Sequence, residues 1–284
     1  MLIYRTADGL ARGHGEDVLL LDLPYRDLGD LLTAAADRHA AKRALADAAV
    51  RMRIPTRDAE LLAPVAAPKR LVLVGANYAD HVEESGMATP TEPTFLLLPG
   101  AEVSGPTDDI HLPAQAPSQV DYEGELAIVL TGGGTDIPVA RAWEHIAGLT
   151  VANDVSARDM QMAAMSGGMI RDIDTLTRSK SFPTFKPIGP AVLMTDDLAQ
   201  QPDLVLQTLV NGELRQHART SAMLFDLAEI VAHVSRHVDL DAGDVVLTGT
   251  PSGVALADGR YLGAEDTVEV RIEGIGSLRN TVTP

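Results

Sequence analysis

The sequence predicts a mostly β protein of the α+β class, with few flanking helices and a small N-terminal α+β unit. Three observations predict it. From residue 70 onward, short apolar runs such as Leu126–Leu130, Ile146–Val151, Ala191–Met194, Leu204–Val210, Val245–Thr248 and Thr267–Ile272 alternate with Gly, Pro and Asp clusters, the mark of successive strands. Before that, one long stretch is rich in Ala and helix formers. After it, one segment keeps clear helical spacing.

In chain order, MLIYRTADGLARGHGEDVLLLDLP (residues 1–24) reads as short strands broken by Gly and Asp. DLGDLLTAAADRHAAKRALADAAVRM (27–52), with no Gly or Pro after Gly29, reads as helix, giving a hairpin-plus-helix unit. APVAAPK (63–69) then sets Pro64 and Pro68 ahead of the apolar run LVLV (71–74). A boundary near residue 65 follows, with a small N-terminal domain over 1–65 and a larger domain over 66–284. VDYEGELAIVL (120–130) reads as one strand. QMAAMSGGMIRDIDTLTRS (161–179), with Gly167-Gly168 at its centre and Met mixed with charge, fits a mobile loop over a site. Over 223–238, Leu224, Leu227, Ile230, Val231, Val234 and Val238 form one apolar helical face.

Composition narrows the function. The chain has 284 residues, 45% of them apolar, enough for a sizeable core. Its net charge of −17 opposes binding to phosphate, so neither nucleic acid nor an anionic membrane is expected as a partner. The absence of Cys excludes a thiol nucleophile and any thiolate metal site. No stretch resembles a signal peptide or has the length of a membrane span, so a cytoplasmic location is expected.

The strand at 120–130 poses a problem. Glu123 and Glu125, two apart, lie on one face of a strand that turns apolar at once, with Asp121 in register. An exposed face with solvated acids is the ordinary reading of a lone E-x-E. If buried, the like charges need a cation. Asp154, at the end of another apolar run, supplies a third carboxylate, and three carboxylates without Cys make an oxygen-only site of the kind Mg²⁺, Mn²⁺ or Ca²⁺ prefers. Arg158 and Gln161 follow at four and seven residues. On a helix starting at Asp154 all three share a face, and Arg158 and Gln161 could hold an anionic ligand beside the metal; a surface helix with an internal Asp–Arg pair is the plainer alternative.

VGANYADHVEE (74–84), VDYEGEL (120–126), ANDVSARD (152–159), SKSF (179–182), VNGELRQ (210–216) and GDVVLTGTPSGV (243–254) occur in this order, and over residues 70–284 the chain resembles the fumarylacetoacetate hydrolase family. The resemblance implies a mixed β-sandwich roll, a homodimer, and Glu123, Glu125 and Asp154 as ligands of Mg²⁺ or Mn²⁺, with Ca²⁺ as a substitute. It implies that His81 and Glu84 form a water-activating dyad, three apart on a short helix, where otherwise His81 reads as a surface residue in an acidic loop. Lys180 matches a catalytic lysine, Tyr78 a substrate-binding position, and Thr250 a position that lends a hydroxyl or backbone N–H to the ligand's carboxylate.

The chain departs from the family at FLLLP (95–99), where Leu98 stands at a position that is Lys in many small members. An entrance cation would be missing, which favours a substrate with a less anionic distal end. Members run several chemistries, including acylpyruvate hydrolysis, oxaloacetate decarboxylation, hydroxymuconate isomerisation-decarboxylation and sugar-acid dehydration, so the motifs do not choose among them. The first expectation is a metal-dependent hydrolase cleaving a C–C bond in an acylpyruvate-like β-diketo acid. A lyase of the same family is the second. A silent 2-keto acid binder, suggested only by Leu98, is the third, and the presence of both His81 and Glu84 argues against it.

Overall fold

A computed structural model describes residues 1–99, 102–166, 169–195 and 200–284. Most of the regular structure is strand, arranged chiefly in two sheets. The larger has 11 strands in the order Val50–Pro55, Asp17–Leu21, Gly9–His14, Leu2–Thr6, Ile188–Met194, Ile146–Asn153, Gly124–Leu130, Val245–Leu247, Arg70–Gly75 and Thr94–Pro99, with Leu61–Leu62 beside Leu2–Thr6. All its pairings are antiparallel but one: Val245–Leu247 runs parallel to Arg70–Gly75. The smaller has five strands, Glu213–Arg219, Val205–Val210, Thr267–Ile272, Gly276–Thr283 and Ile110–His111.

Alternation explains how the central strands are buried on both faces. Along Gly124–Leu130, the side chains of Leu126, Ile128 and Leu130 enter a core shared with the smaller sheet and the helix Leu227–Ser235. Ala127 and Val129 point the other way, into a second core with Leu28, Leu31, Leu32 and Leu45 of the N-terminal unit. Such a strand reads as a continuous apolar run because no face is left for water.

Local chemistry sets the helix boundaries and corrects two sequence expectations. The N-terminal helix divides into Leu28–Ala34 and Arg38–Asp47, because Asp37 leaves helical geometry and caps the second piece through the Ala40 N–H at 2.7 Å. The strand Val50–Pro55 then returns to the sheet. The helix expected over 223–238 spans only Leu227–Ser235: Asp226 and Glu229 form a reciprocal capping box that starts it there. The 161–179 loop carries a short hairpin, Met165–Ser166 with Met169–Ile170, and the helix Ile173–Ser179, while Gly167-Gly168 lie outside the described residues. No helix among the described residues is long and apolar enough to cross a membrane.

The 1–65 unit joins the larger sheet directly, Leu2–Thr6 pairing with Ile188–Met194, so the sheet is continuous across residue 65. Leu98 pairs with Leu71 and is buried in the second core at 2% exposure, which corrects the expectation of an entrance position. Its apolar side chain is explained by packing. It carries no information about the substrate.

Candidate metal centre

The antiparallel ladder between Gly124–Leu130 and Ile146–Asn153 sets the site. Gly124 pairs with Asn153 and Glu125 with Ala152, so Asp154 emerges from its strand beside Glu123. Two bonds lock this register: the Asp154 N–H donates to the Glu123 carbonyl at 2.8 Å, and the Glu123 N–H donates to Asn153 Oδ1 at 3.0 Å. One oxygen from each of Glu123, Glu125 and Asp154 lies within 4.8 Å of the others, and all three residues are buried.

The glycine between the two glutamates is a packing requirement. A Cβ on Gly124 would lie 2.1 Å from Thr208 Oγ1, because the smaller sheet presses directly on this backbone, and its N–H donates to Gln216 Oε1 at 3.0 Å. Glu125 is fixed from another direction by the N–H of Gly249, which donates to Oε2 at 2.7 Å. Gly249 has φ +96°, and a Cβ there would lie 2.8 Å from Asn77 Cβ, so the turn after Val245–Leu247 admits only glycine.

The expected continuous strand 120–130 breaks after Asp121, and the break corrects the placement of that acid. Asp121 is not in register with the two glutamates. It accepts the N–H groups of Ala255 and Leu256 and pairs with Arg158 at 2.7 Å. Arg158 also donates to Glu123 Oε1 at 2.6 Å and to Gln161 Oε1 at 2.6 Å. The helix begins at Arg158, so Asp154 does not share its face as the spacing suggested. In this arrangement Arg158, with Gln161 behind it, is a strut that holds a metal ligand rather than an anion clamp.

Two buried lysines meet Asp154. Lys180 Nζ lies 2.8 Å from Glu123 Oε2, 2.6 Å from Asp154 Oδ2 and 2.9 Å from Ser156 Oγ. Lys186, which sequence reasoning missed, places Nζ 2.9 Å from Asp154 Oδ1 and donates to the carbonyls of Val155 at 3.1 Å and Phe185 at 3.0 Å. Its signal was a single charge in FKPIGP, just before a wholly apolar strand. Gln216, in a motif already singled out, was also missed: its Nε2 donates to Thr250 Oγ1 and to the Pro251 carbonyl, both at 2.8 Å. The Thr250 hydroxyl in turn donates to the Gly124 carbonyl at 3.0 Å, so it has no proton left for a ligand. That corrects its expected hydroxyl role.

His81 and Glu84 lie on the helix Ala79–Glu84, with His81 Nδ1 3.5 Å from Glu84 Oε2. The other oxygen of Glu84 accepts the Gly253 N–H at 2.9 Å, and the Ser252 hydroxyl donates to Asp80 Oδ2 at 2.8 Å, so the 249–254 loop is tied to this helix. Tyr78 is fully buried, and its hydroxyl has no hydrogen-bond partner among the described residues. Burial, then the charges of Glu125 and Asp80, push its pKa up.

The electrostatics test whether the residues fit a divalent ion. Burial pushes Glu125 well above the usual carboxylate range, and the charges of Asp154 and Glu123 push it further. Burial would raise Glu123 too, but Arg158 and Lys180 hold it well below that range. Asp154 Oδ1 is buried and, among the described residues, accepts no hydrogen bond, its contact with Lys186 at 2.9 Å being an ion pair. A carboxylate short of positive charge, a carboxylate oxygen with its lone pairs unspent and an all-oxygen donor set fit a hard divalent cation such as Mg²⁺, Mn²⁺ or Ca²⁺.

Comparison with known proteins agrees with this geometry. The family profile described as fumarylacetoacetate (FAA) hydrolase C-terminal matches residues 70–283. The mitochondrial oxaloacetate tautomerase FAHD2A of Homo sapiens is 37% identical over 281 residues, 96% of this chain and 86% of that one. Among solved structures, the fumarylacetoacetate hydrolase of psychrophilic Exiguobacterium antarcticum superposes with a TM-score of 0.82 at 34% identity, over 100% of this chain and 99% of that one. The 5-carboxymethyl-2-hydroxymuconate delta-isomerase of Mycobacterium smegmatis gives 0.75 at 34% identity, over 100% and 99%.

Proposed function

The chain belongs to the fumarylacetoacetate hydrolase family, and from that premise we propose that it is a divalent-metal-dependent enzyme that moves a proton at the carbon beside the keto group of a 2-keto acid, with keto–enol tautomerisation of an oxaloacetate-like diacid as its reaction. One observation carries this reading: the 249–254 loop is bonded both to the buried three-carboxylate centre, through Gly249 N–H to Glu125, and to the His81–Glu84 pair, through Gly253 N–H to Glu84. A divalent ion on Glu123, Glu125 and Asp154 would supply an electron sink for the 2-keto oxygen. With Nδ1 directed at Glu84, Nε2 of His81 takes the proton from the adjacent carbon and passes it to the 2-keto oxygen, giving the enol, and the reverse transfer restores the keto form. Gly253 holds Glu84 in place meanwhile. The unpartnered hydroxyl of Tyr78 supports a role in binding a ligand oxygen, and Lys180 supports charge stabilisation beside it. A curated relative that matches nearly the whole chain in sequence, the human FAHD2A, is an oxaloacetate tautomerase, which supports the reaction chosen.

C–C hydrolysis of an acylpyruvate is the second reading. It uses the same dyad on a water molecule, and the hydrolase among the structural neighbours supports it. Oxaloacetate and acetylpyruvate, each incubated with the protein and either Mg²⁺ or EDTA and followed by proton NMR and ultraviolet absorbance, separate the two. Mg²⁺-dependent enol–keto interconversion of oxaloacetate with no loss of carbon is the expected result. Acetate and pyruvate from acetylpyruvate would establish the hydrolase instead, and carbon dioxide from oxaloacetate a decarboxylase.

A further inference from the structure

We propose that Tyr122 is a positioning residue for the proton transfer: its hydroxyl holds the Gly253 carbonyl, and through that residue it aims Glu84 at His81. The proposal rests on the 2-keto acid reading above and deepens it by naming a side chain that acts on the base without belonging to the dyad.

The two oxygens of Glu84 have separate tasks. Oε2 faces His81 Nδ1 at 3.5 Å, and Oε1 accepts the Gly253 N–H at 2.9 Å. The helix that carries both residues, Ala79–Glu84, is only six residues long and has little stability of its own, so the carboxylate takes its place from the loop. That loop is held at Gly253 by two elements. The strand Glu213–Arg219 lies directly against it: φ is +98°, and a Cβ there would lie 2.0 Å from the Arg215 carbonyl. The Tyr122 hydroxyl donates to its carbonyl at 2.9 Å. Glycine has the widest choice of backbone angles, so an anchored carbonyl is what keeps its N–H on Glu84.

Tyr122 is itself firmly set. It is fully buried, and the Arg215 guanidinium lies 5.4 Å from its ring centroid while pairing with Asp258 at 3.1 Å. Asp121, its neighbour in the chain, accepts the N–H groups of Ala255 and Leu256. Residues 121 and 122 therefore grip the returning chain at 253, 255 and 256, and the phenol oxygen is the part of that grip nearest to Glu84 along the chain.

Turnover by the full-length protein with Mg²⁺, of oxaloacetate or of acetylpyruvate if hydrolysis is the reaction found, tests the proposal in the unaltered protein, Tyr122→Phe, Glu84→Ala and the double variant. Tyr122→Phe keeps the ring and removes one oxygen. It should lower kcat about three- to tenfold, the worth of one hydrogen bond, while KM and the Mn²⁺ affinity measured by calorimetry stay within about twofold. In the Glu84→Ala background the same substitution should cost less than about twofold, because the path it acts through is already cut. An equal loss in both backgrounds would overturn the proposal, as would an unchanged kcat in Tyr122→Phe. A loss of Mn²⁺ affinity as large as the loss in kcat would also overturn it, by placing the effect at the adjacent Glu123. Without any substitution, the Gly253 amide should exchange with deuterium at least about tenfold more slowly than in an unfolded chain, and free exchange there would contradict the proposal as well. An unaltered protein that turns over neither substrate would overturn the functional reading, and this proposal with it.

Discussion

At the scale of single residues, the proposed function divides the site into groups that would hold a metal and groups that would move protons. His81→Ala should cut turnover by about a hundred- to ten-thousand-fold, the usual worth of a general base, with Mn²⁺ affinity retained; Asp154→Ala should lose both. An active His81→Ala protein would remove the dyad from the mechanism. Glu125 supplies a pH dependence. It keeps its proton to higher pH than an ordinary carboxyl, whereas a metal ion needs the ionised form. Metal uptake should therefore be weak at low pH, strengthen as pH rises through the titration of Glu125, and level off above it. Calorimetry in buffers of different ionisation enthalpy should detect the released proton, and buffer-independent heats across that range would contradict the account. The acidic cluster was legible in the sequence through the family resemblance and the lack of Cys, although Glu123 lies just ahead of the strand Gly124–Leu130 rather than on it. Lys186 was not, because only the fold shows that a lysine four residues beyond Phe182 turns inward onto Asp154.

At the scale of elements, the E-G-E strand works because a second sheet lies almost on top of its backbone. Gly124→Ala should destabilise the protein by about 1–3 kcal/mol through overpacking, measured by urea unfolding. Adding Thr208→Ala should recover part of that loss, since it removes the atom 2.1 Å from the new Cβ, a hydroxyl oxygen without a hydrogen-bond partner among the described residues. If the double variant is as unstable as the single one, the clash lies elsewhere. Strands were legible from their apolar runs. Helix limits were less so, because a side-chain cap such as Asp37 or Asp226 ends an apolar or Ala-rich pattern whose periodicity continues past it. The strand break after Asp121 was illegible for a similar reason: alternation persists through a chain that has stopped pairing.

At the scale of the whole molecule, two apolar cores lie on opposite faces of one sheet, and the N-terminal helices close the second. Residues 1–65 should therefore melt together with the rest in one cooperative transition, seen by calorimetry and circular dichroism alike. Two separated transitions would instead make 1–65 a unit stable on its own. The strand Val245–Leu247 fills the place between Gly124–Leu130 and Arg70–Gly75, and its following turn delivers the Gly249 N–H to Glu125 from 124 residues away in the chain. A ribosome making this protein thus releases all three acids of the buried cluster long before the group that fixes one of them. Until then the nascent sheet has a slot between two apolar strands, the kind of unpaired edge that attracts chaperones and other unfinished chains. A newly made molecule completes its buried acidic centre only when that late strand closes the slot.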